Sequence, residues 1–125
     1  MIKEKKLTVW GREFILPIEY DCYEGESITK EQIKALKKFL SHLEWLDKAK
    51  EQVEDYCREA VYEDDGNQKK DNIFSYIKPE TLYVTREDNP VVALMCKYRY
   101  DMEHGLAVAF SQTGEVAVGL QDMVI

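Results

Sequence analysis

The chain has 125 residues, 45% of them apolar and 33% charged, with a formal net charge of −7. That balance suits one globular domain, residues 1–125, able to bury a single core, and excludes a disordered chain. The negative sign disfavours nucleic acid and anionic membrane, whose phosphates demand Lys and Arg, and it suits a basic partner.

Residues 6–20 read as a β-hairpin. The stretch "KLTVW" alternates weakly, Gly11-Arg12 suits a tight turn, and Phe14, Leu16, Ile18 and Tyr20 share one face. Pro17 has no backbone donor, which predicts an edge strand or a bulge there. Arg12 and Glu13 interrupt the apolar stretch near the start, so it is no signal peptide. No run is long and apolar enough to span a bilayer, and a cytoplasmic protein is the expectation.

After the loop "DCYEGES", Thr29-Lys-Glu-Gln32 has the form of a capping box. Ile33, Leu36, Leu40 and Leu43 follow at helical spacing. Ser41-His-Leu-Glu44 repeats the capping pattern and suggests that one helix ends near Leu40 and another begins. With no Gly or Pro at the junction, a single long helix is the alternative. Leu46, Ala49, Val53, Tyr56, Cys57 and Ala60 carry the apolar stripe to about Tyr62. Residues 63–72, "EDDGNQKKDN", contain no apolar residue and read as a loop. "IFSYIKPE" reads as a short helical turn or irregular segment ended by Pro79.

Four strands follow, at 81–85, 91–100, 106–111 and 115–120, separated by the turns "REDNP", "DMEHG" and "QTG". Val92, Leu94, Cys96, Tyr98 and Tyr100 share one face. Leu106, Val108 and Phe110 share one face, as do Val116, Val118 and Leu120. Ala107, Ala109, Ala117 and Gly119 alternate with these, so the second face allows close approach by a covering element or forms a shallow concavity. The predicted fold is α+β: an antiparallel sheet made of the N-terminal hairpin and a C-terminal four-strand meander, with a central pair of helices packed on one face.

Charge is segregated. Residues 27–62 balance seven basic against seven acidic residues, while 19–26 carry Glu19, Asp21, Glu24 and Glu26 with no basic residue. From Tyr100 onward there is no Lys or Arg, only Asp101, Glu103, Glu115 and Asp122.

Asp101, Glu103 and His104 are the residues that most invite a chemical reading. A metal site draws His and carboxylate ligands from several elements, and three near-neighbours in one turn rarely wrap one ion. The turn reading explains the same residues: Asp101 caps the turn and Gly105 supplies a positive φ. Ser111-Gln-Thr-Gly114 lacks the context of a nucleophile elbow and reads as a hairpin turn. Phosphate-cradling glycine motifs are missing, so neither an enzyme nor a cofactor is expected. Cys22, Cys57 and Cys96 form no C-x-x-C motif and read as buried thiols.

The stretch "YRYDMEHGLAVAFSQTGEVAVGLQD", Tyr98 to Asp122, resembles the C-terminal signature of a family of small uncharacterised bacterial proteins. The pattern is Tyr-Asp-x-Glu-His-Gly, a strand containing Val-x-Phe, a turn, and a strand ending near Gly-x-Gln-Asp. Tyr100, Asp101, Glu103, His104, Gly105, Val108, Phe110, Gly119, Gln121 and Asp122 match it. "LTVWGREFILPIEYD" and "ITKEQIKALKKFL" resemble that family more loosely. Some of its members resemble immunity proteins of polymorphic or contact-dependent toxin systems. The resemblance implies a protein that neutralises a cognate toxin domain, such as a basic nuclease, through an acidic, Tyr-bearing surface. The residues expected to make contact are Glu19, Asp21, Tyr23, Glu24, Glu26, Asp101 and Glu103, with Asp64 and Asp65 as a second patch. This assumes that loops 21–27 and 101–104 share one side. The alternative is a metal-binding protein or metal-dependent hydrolase using Asp101, Glu103 and His104.

Overall fold

The computed structural model describes residues 3–22, 25–65, 73–99 and 101–124. Among them are six strands: β1 (Glu4–Val9), β2 (Arg12–Tyr20), β3 (Ile77–Val84), β4 (Val92–Tyr98), β5 (Leu106–Phe110) and β6 (Val116–Gly119). Two helices, α1 (Lys30–Leu40) and α2 (Glu44–Asp65), lie between β2 and β3. The strands form one sheet in chain order, β1 to β6. All neighbours are antiparallel except β2 and β3, which are parallel. The fold is therefore α+β with a mostly antiparallel sheet. The departure from a purely antiparallel sheet follows from the helices, since both fall in the crossover that a parallel pair requires.

The hairpin turn is Trp10-Gly11, one residue earlier than expected. Both residues have positive φ, 49° and 87°, as a two-residue turn of the primed kind demands. The left-handed Trp10 is tied down: it is 9% exposed, its Nε1 donates to the Leu46 carbonyl at 2.9 Å, and its ring lies 4.8 Å from that of Phe74. Pro17 sits in an interior strand, against the edge-strand expectation. Ile18 N donates to Lys3 O on the β1 side, so the donor that Pro17 lacks would face the β3 side, where pairing begins only at Ile18.

The capping box at the start of α1 forms as expected: Thr29 Oγ1 accepts from Gln32 N at 3.1 Å, and Gln32 Oε1 accepts from Thr29 N at 2.9 Å. The helices are two, not one. Ser41 is the C-cap of α1 and its hydroxyl donates to Lys37 O, so the second capping box is not made. The buried stripe of α1 is Gln32, Ala35, Leu36 and Phe39, while the expected Leu43 is exposed. In α2, Trp45, Leu46, Ala49, Val53 and Cys57 are buried as the spacing predicts. The backbone of α2 continues to Asp65, past the expected end near Tyr62. Residues 66–72, the rest of the expected loop, and the side chains of Ala60 and Tyr62 lie outside the described residues.

A 3₁₀ turn at Ile73–Tyr76 leads directly into β3, which begins four residues before the expected strand and contains Pro79. The ladder with β4 shifts register between Pro79 and Thr81, a bulge of the kind that accommodates proline. One face of the sheet, with Leu7, Leu16, Ile18, Leu82, Leu94 and Val108, packs on the helices to form the main core. The opposite face has a smaller apolar cluster of Ala93, Met95, Ala107 and Ala109.

Candidate functional site: two acidic ends of one sheet

Strand direction decides where each acidic loop falls. β2 and β3 run parallel and finish together at Tyr20 and Val84. β4 starts beside them, with Val92 opposite Val84, and β5 finishes there, with Phe110 opposite Val92. The segments 21–22, 25–29, 85–91 and 111–115 therefore occupy one end of the sheet. The 99–105 loop leaves the far end of β4, about 20 Å away at ~3.3 Å per residue. Residues 21–22 and 25–27 thus lie at the opposite end from 101–104, which separates Glu19, Asp21 and Glu26 from Asp101 and Glu103.

At the first end, Asp21 continues from β2: its N donates to Val84 O at 2.9 Å, and its carbonyl accepts from the buried Gln32 Nε2 at 2.8 Å. Glu19 is exposed and directly opposite Tyr83 in the ladder, on the face away from the helices. Burial raises the Tyr83 pKa, and the Asp21 charge, a hydrogen bond to Asp21 and the Glu19 charge raise it further. Tyr83 therefore keeps its phenol proton beside the Asp21 and Glu19 carboxylates. The Thr81-Leu-Tyr-Val-Thr85 alternation already sets Tyr83 opposite in sense to Leu82 and Val84. That alternation alone points Tyr83 away from the helices, beside the acidic 19–21 stretch.

Glu26 is paired with Arg86, which also donates to Ser27 O at 3.0 Å, so this acid is partly neutralised. Thr29, Glu31, Arg86, Glu87 and Asp88 line a shallow cleft of about 420 Å³ beside the α1 N-terminus. Buried Thr85 ties the loop that carries Arg86, Glu87 and Asp88 together, accepting from Val91 N at 2.9 Å and donating to Glu87 Oε1 at 3.1 Å. Tyr23 and Glu24 lie outside the described residues. Asp64 and Asp65 belong to the last turn of α2, and their side chains lie outside the described residues.

At the far end, Asp101 is turned onto its own loop. Its Oδ1 accepts from His104 N at 3.1 Å, and its two carboxylate oxygens lie 3.0 and 3.2 Å from His104 Nδ1. Gly105 N donates to Asp101 O at 2.9 Å, with φ +65° at Gly105. The Asp101 carboxyl is held below its usual range, first by the His104 backbone donor and then by the imidazole. His104 is raised, first by the hydrogen bond to Asp101 and then by its charge, with further contributions from Glu103 and Asp122.

The C-terminal 3₁₀ turn, Gln121–Met123, locks this corner: Gln121 N donates to His104 O at 3.1 Å and Gln121 Nε2 to Cys96 O at 3.0 Å. Glu103 is exposed. Among the described residues no group of three His, Cys, Asp or Glu side chains is arranged to hold a metal ion. The carboxylate–imidazole pair is built as a turn cap. Cys22 is half-buried, and Cys57 and Cys96 are buried. Burial pushes the Cys57 thiol up to about 11 and raises Cys96 as well.

Both ends of the sheet fall within a single family model, the Domain of unknown function DUF6985, which matches residues 3–125. The chain belongs to that family. No curated protein and no solved structure matches the chain significantly. Family membership covers the hairpin, both helices and all six strands, and carries no activity with it. No helix among the described residues is long and apolar enough to cross a membrane.

Proposed function

We propose that this protein is a cytoplasmic immunity-type inhibitor that binds a basic toxin domain through the acidic end of its sheet. The observation that supports this reading is the Glu19–Tyr83–Asp21 group beside the Glu31, Glu87 and Asp88 cleft. It offers several carboxylates around an aromatic side chain whose phenol the neighbouring acids hold in the protonated form. Acidic groups steer a basic partner, and a half-buried tyrosine on a rigid strand supplies apolar area at little entropic cost. Gln32 and the α1 cap hold Asp21 to the sheet, so the group is organised before a partner arrives.

The far end contributes less to this reading. Asp101 is engaged by His104, which leaves Glu103 and Asp122 as its outward acids. The test is co-expression with the toxin domain encoded beside the gene, followed by co-purification and a growth-protection assay. The expected result is a stable complex that the double reversal Glu19→Lys/Asp21→Lys weakens by at least about tenfold at low salt, a penalty that narrows as added salt screens the charges. Unchanged affinity and protection in that variant would refute the assignment of this end as the contact surface.

A further inference from the structure

The solvent side of α1 is a ridge of lysine. Lys30, Lys34, Lys37 and Lys38 are all exposed. At ~3.6 residues per turn they fall within about 100° of arc, opposite the buried stripe of Gln32, Ala35, Leu36 and Phe39. Among the described residues none of the four is in an ion pair.

Helix stability accounts for only half of this ridge. Lys37 and Lys38 lie in the last turn, where positive charge suits the helix dipole. Lys30 opens the first turn, where it opposes the dipole, and Lys30–Lys34 and Lys34–Lys38 are like-charged pairs at i,i+4 spacing. Acids bracket the ridge. Glu26, Glu31, Glu87 and Asp88 stand at its N-terminal end, around the cleft, and Glu44 and Asp47 follow its C-terminal end in the first turn of α2. The positive patch is therefore compact, about 12 Å from Lys30 to Lys38 at ~1.5 Å per residue.

We infer that this ridge docks a compact carboxylate cluster on the surface of a partner protein, and so fixes the orientation of a partner whose basic patch lies over the acidic end. The occupant is protein because of the size and setting of the patch. A phosphate backbone continues past either end of so short a ridge and would run into the bracketing acids. A bilayer takes up a helix through its apolar face, and that face of α1 is buried in the core. A standard interface covers about 800 Å² per partner, roughly 30 Å across, so one partner reaches both the ridge and the cleft that the start of α1 lines. The inference rests on the reading of the acidic end as a contact surface. It adds the complementary half: the partner carries an acidic patch beside its basic one, and the reversed orientation sets like charges against each other on both.

The test titrates the full chain at low salt with a helical peptide of about 15 residues bearing a Glu stripe on one face, and separately with a DNA duplex of the same total charge, both followed by amide NMR. The Glu peptide should shift the amides of residues 30–38. Lys34→Gln/Lys37→Gln/Lys38→Gln should weaken its binding by at least about tenfold, and Lys34→Arg/Lys37→Arg/Lys38→Arg should retain it. All three positions are exposed and both replacements are good helix formers, so circular dichroism should not change. The control Lys3→Gln/Lys5→Gln/Lys6→Gln removes the same charge from exposed lysines at β1 and should alter affinity by less than about twofold.

No binding of the Glu peptide, equal weakening by the two glutamine triples, or a duplex bound as tightly as the peptide overturns the inference. In the protection assay, Lys34→Glu/Lys37→Glu/Lys38→Glu should abolish protection as Glu19→Lys/Asp21→Lys does. Loss with the Glu19/Asp21 reversal alone overturns the ridge and leaves the acidic-end reading standing. Loss with the lysine reversal alone overturns the acidic-end reading and leaves the ridge as the contact.

Discussion

Replacing Gln32 tests how the acidic end is held together. Gln32 is fully buried yet polar, and three partners account for it. Its Oε1 accepts from Thr29 N at 2.9 Å, and its Nε2 donates to Asp21 O at 2.8 Å and to Val84 O at 3.3 Å. Gln32→Met keeps the volume and removes all three interactions. Val84 O still receives Asp21 N at 2.9 Å, so the groups orphaned are Thr29 N and Asp21 O.

Loss of half a capping box costs about 1 kcal/mol, and leaving the half-buried Asp21 carbonyl without its donor costs about 1–2 kcal/mol more. The expected total is about 2–3 kcal/mol, a fall of about 1–2 M in the urea midpoint for a domain of this size. Gln32→Glu sharpens the test. Its carboxylate still accepts from Thr29 N but turns a lone pair toward Asp21 O, and burial and repulsion both raise its folded-state pKa above the unfolded value. The stability it contributes is then present in acid and lost as pH rises through that raised pKa, so the deficit relative to wild type should grow between about pH 4 and pH 7. A Gln32→Met variant within about 0.5 kcal/mol of wild type, or a pH-independent deficit in Gln32→Glu, would refute the account.

Three further outcomes are expected. The His104 pKa, followed by NMR, should fall in Asp101→Asn, because Asp101 is the main cause of its upward shift. Since that folded pKa lies above the unfolded value, the pair's contribution to stability is complete below the unfolded His pKa and disappears as pH rises through the raised one. Gly11→Ala and Gly105→Ala both force alanine into positive φ, but only at Gly105 would the new Cβ meet backbone, Cys96 O at 2.9 Å, and the Gln121 amide at 2.6 Å. Gly11→Ala should cost about 1–2 kcal/mol, and Gly105→Ala at least about 1 kcal/mol more by thermal or urea unfolding. A thiol reagent should label Cys22 first and Cys57 only on unfolding, because Cys57 is buried with its pKa pushed up to about 11.

Elements governed by local chemistry were legible in the sequence. The Thr29–Gln32 box located the start of α1, and period-two alternation located β4, β5 and β6 and the sense of their side chains. The misreadings arose where a distant partner decided the outcome. Trp10 accepts a left-handed φ because Leu46 and Phe74 hold it, and neither is local. Pro79 belongs to a strand because the ladder with β4 bulges around it. Ser41 resembled an N-cap, but its hydroxyl goes back to Lys37.

For the candidate site, the acidic residues were plain to see and their grouping was not. Grouping depends on strand direction, and a single parallel pair in an otherwise antiparallel sheet carries no signature in a strand's own residues. The pairing of Arg86 with Glu26 spans the same crossover and was invisible for the same reason. Tyr83 is different. Its place on the outer face follows from alternation alone.

The parallel seam between β2 and β3 also sets an order of events during synthesis. The Trp10-Gly11 hairpin emerges first, yet one flank of β2 has no mate until the chain through residues 21–76 has been made and its ends brought together. Closing a span of that length is entropically costly, and non-local pairing of this kind is slow. A nascent chain halted inside α2 would therefore carry an unsatisfied strand flank, a target for aggregation or for a chaperone, until β3 arrives to cover it.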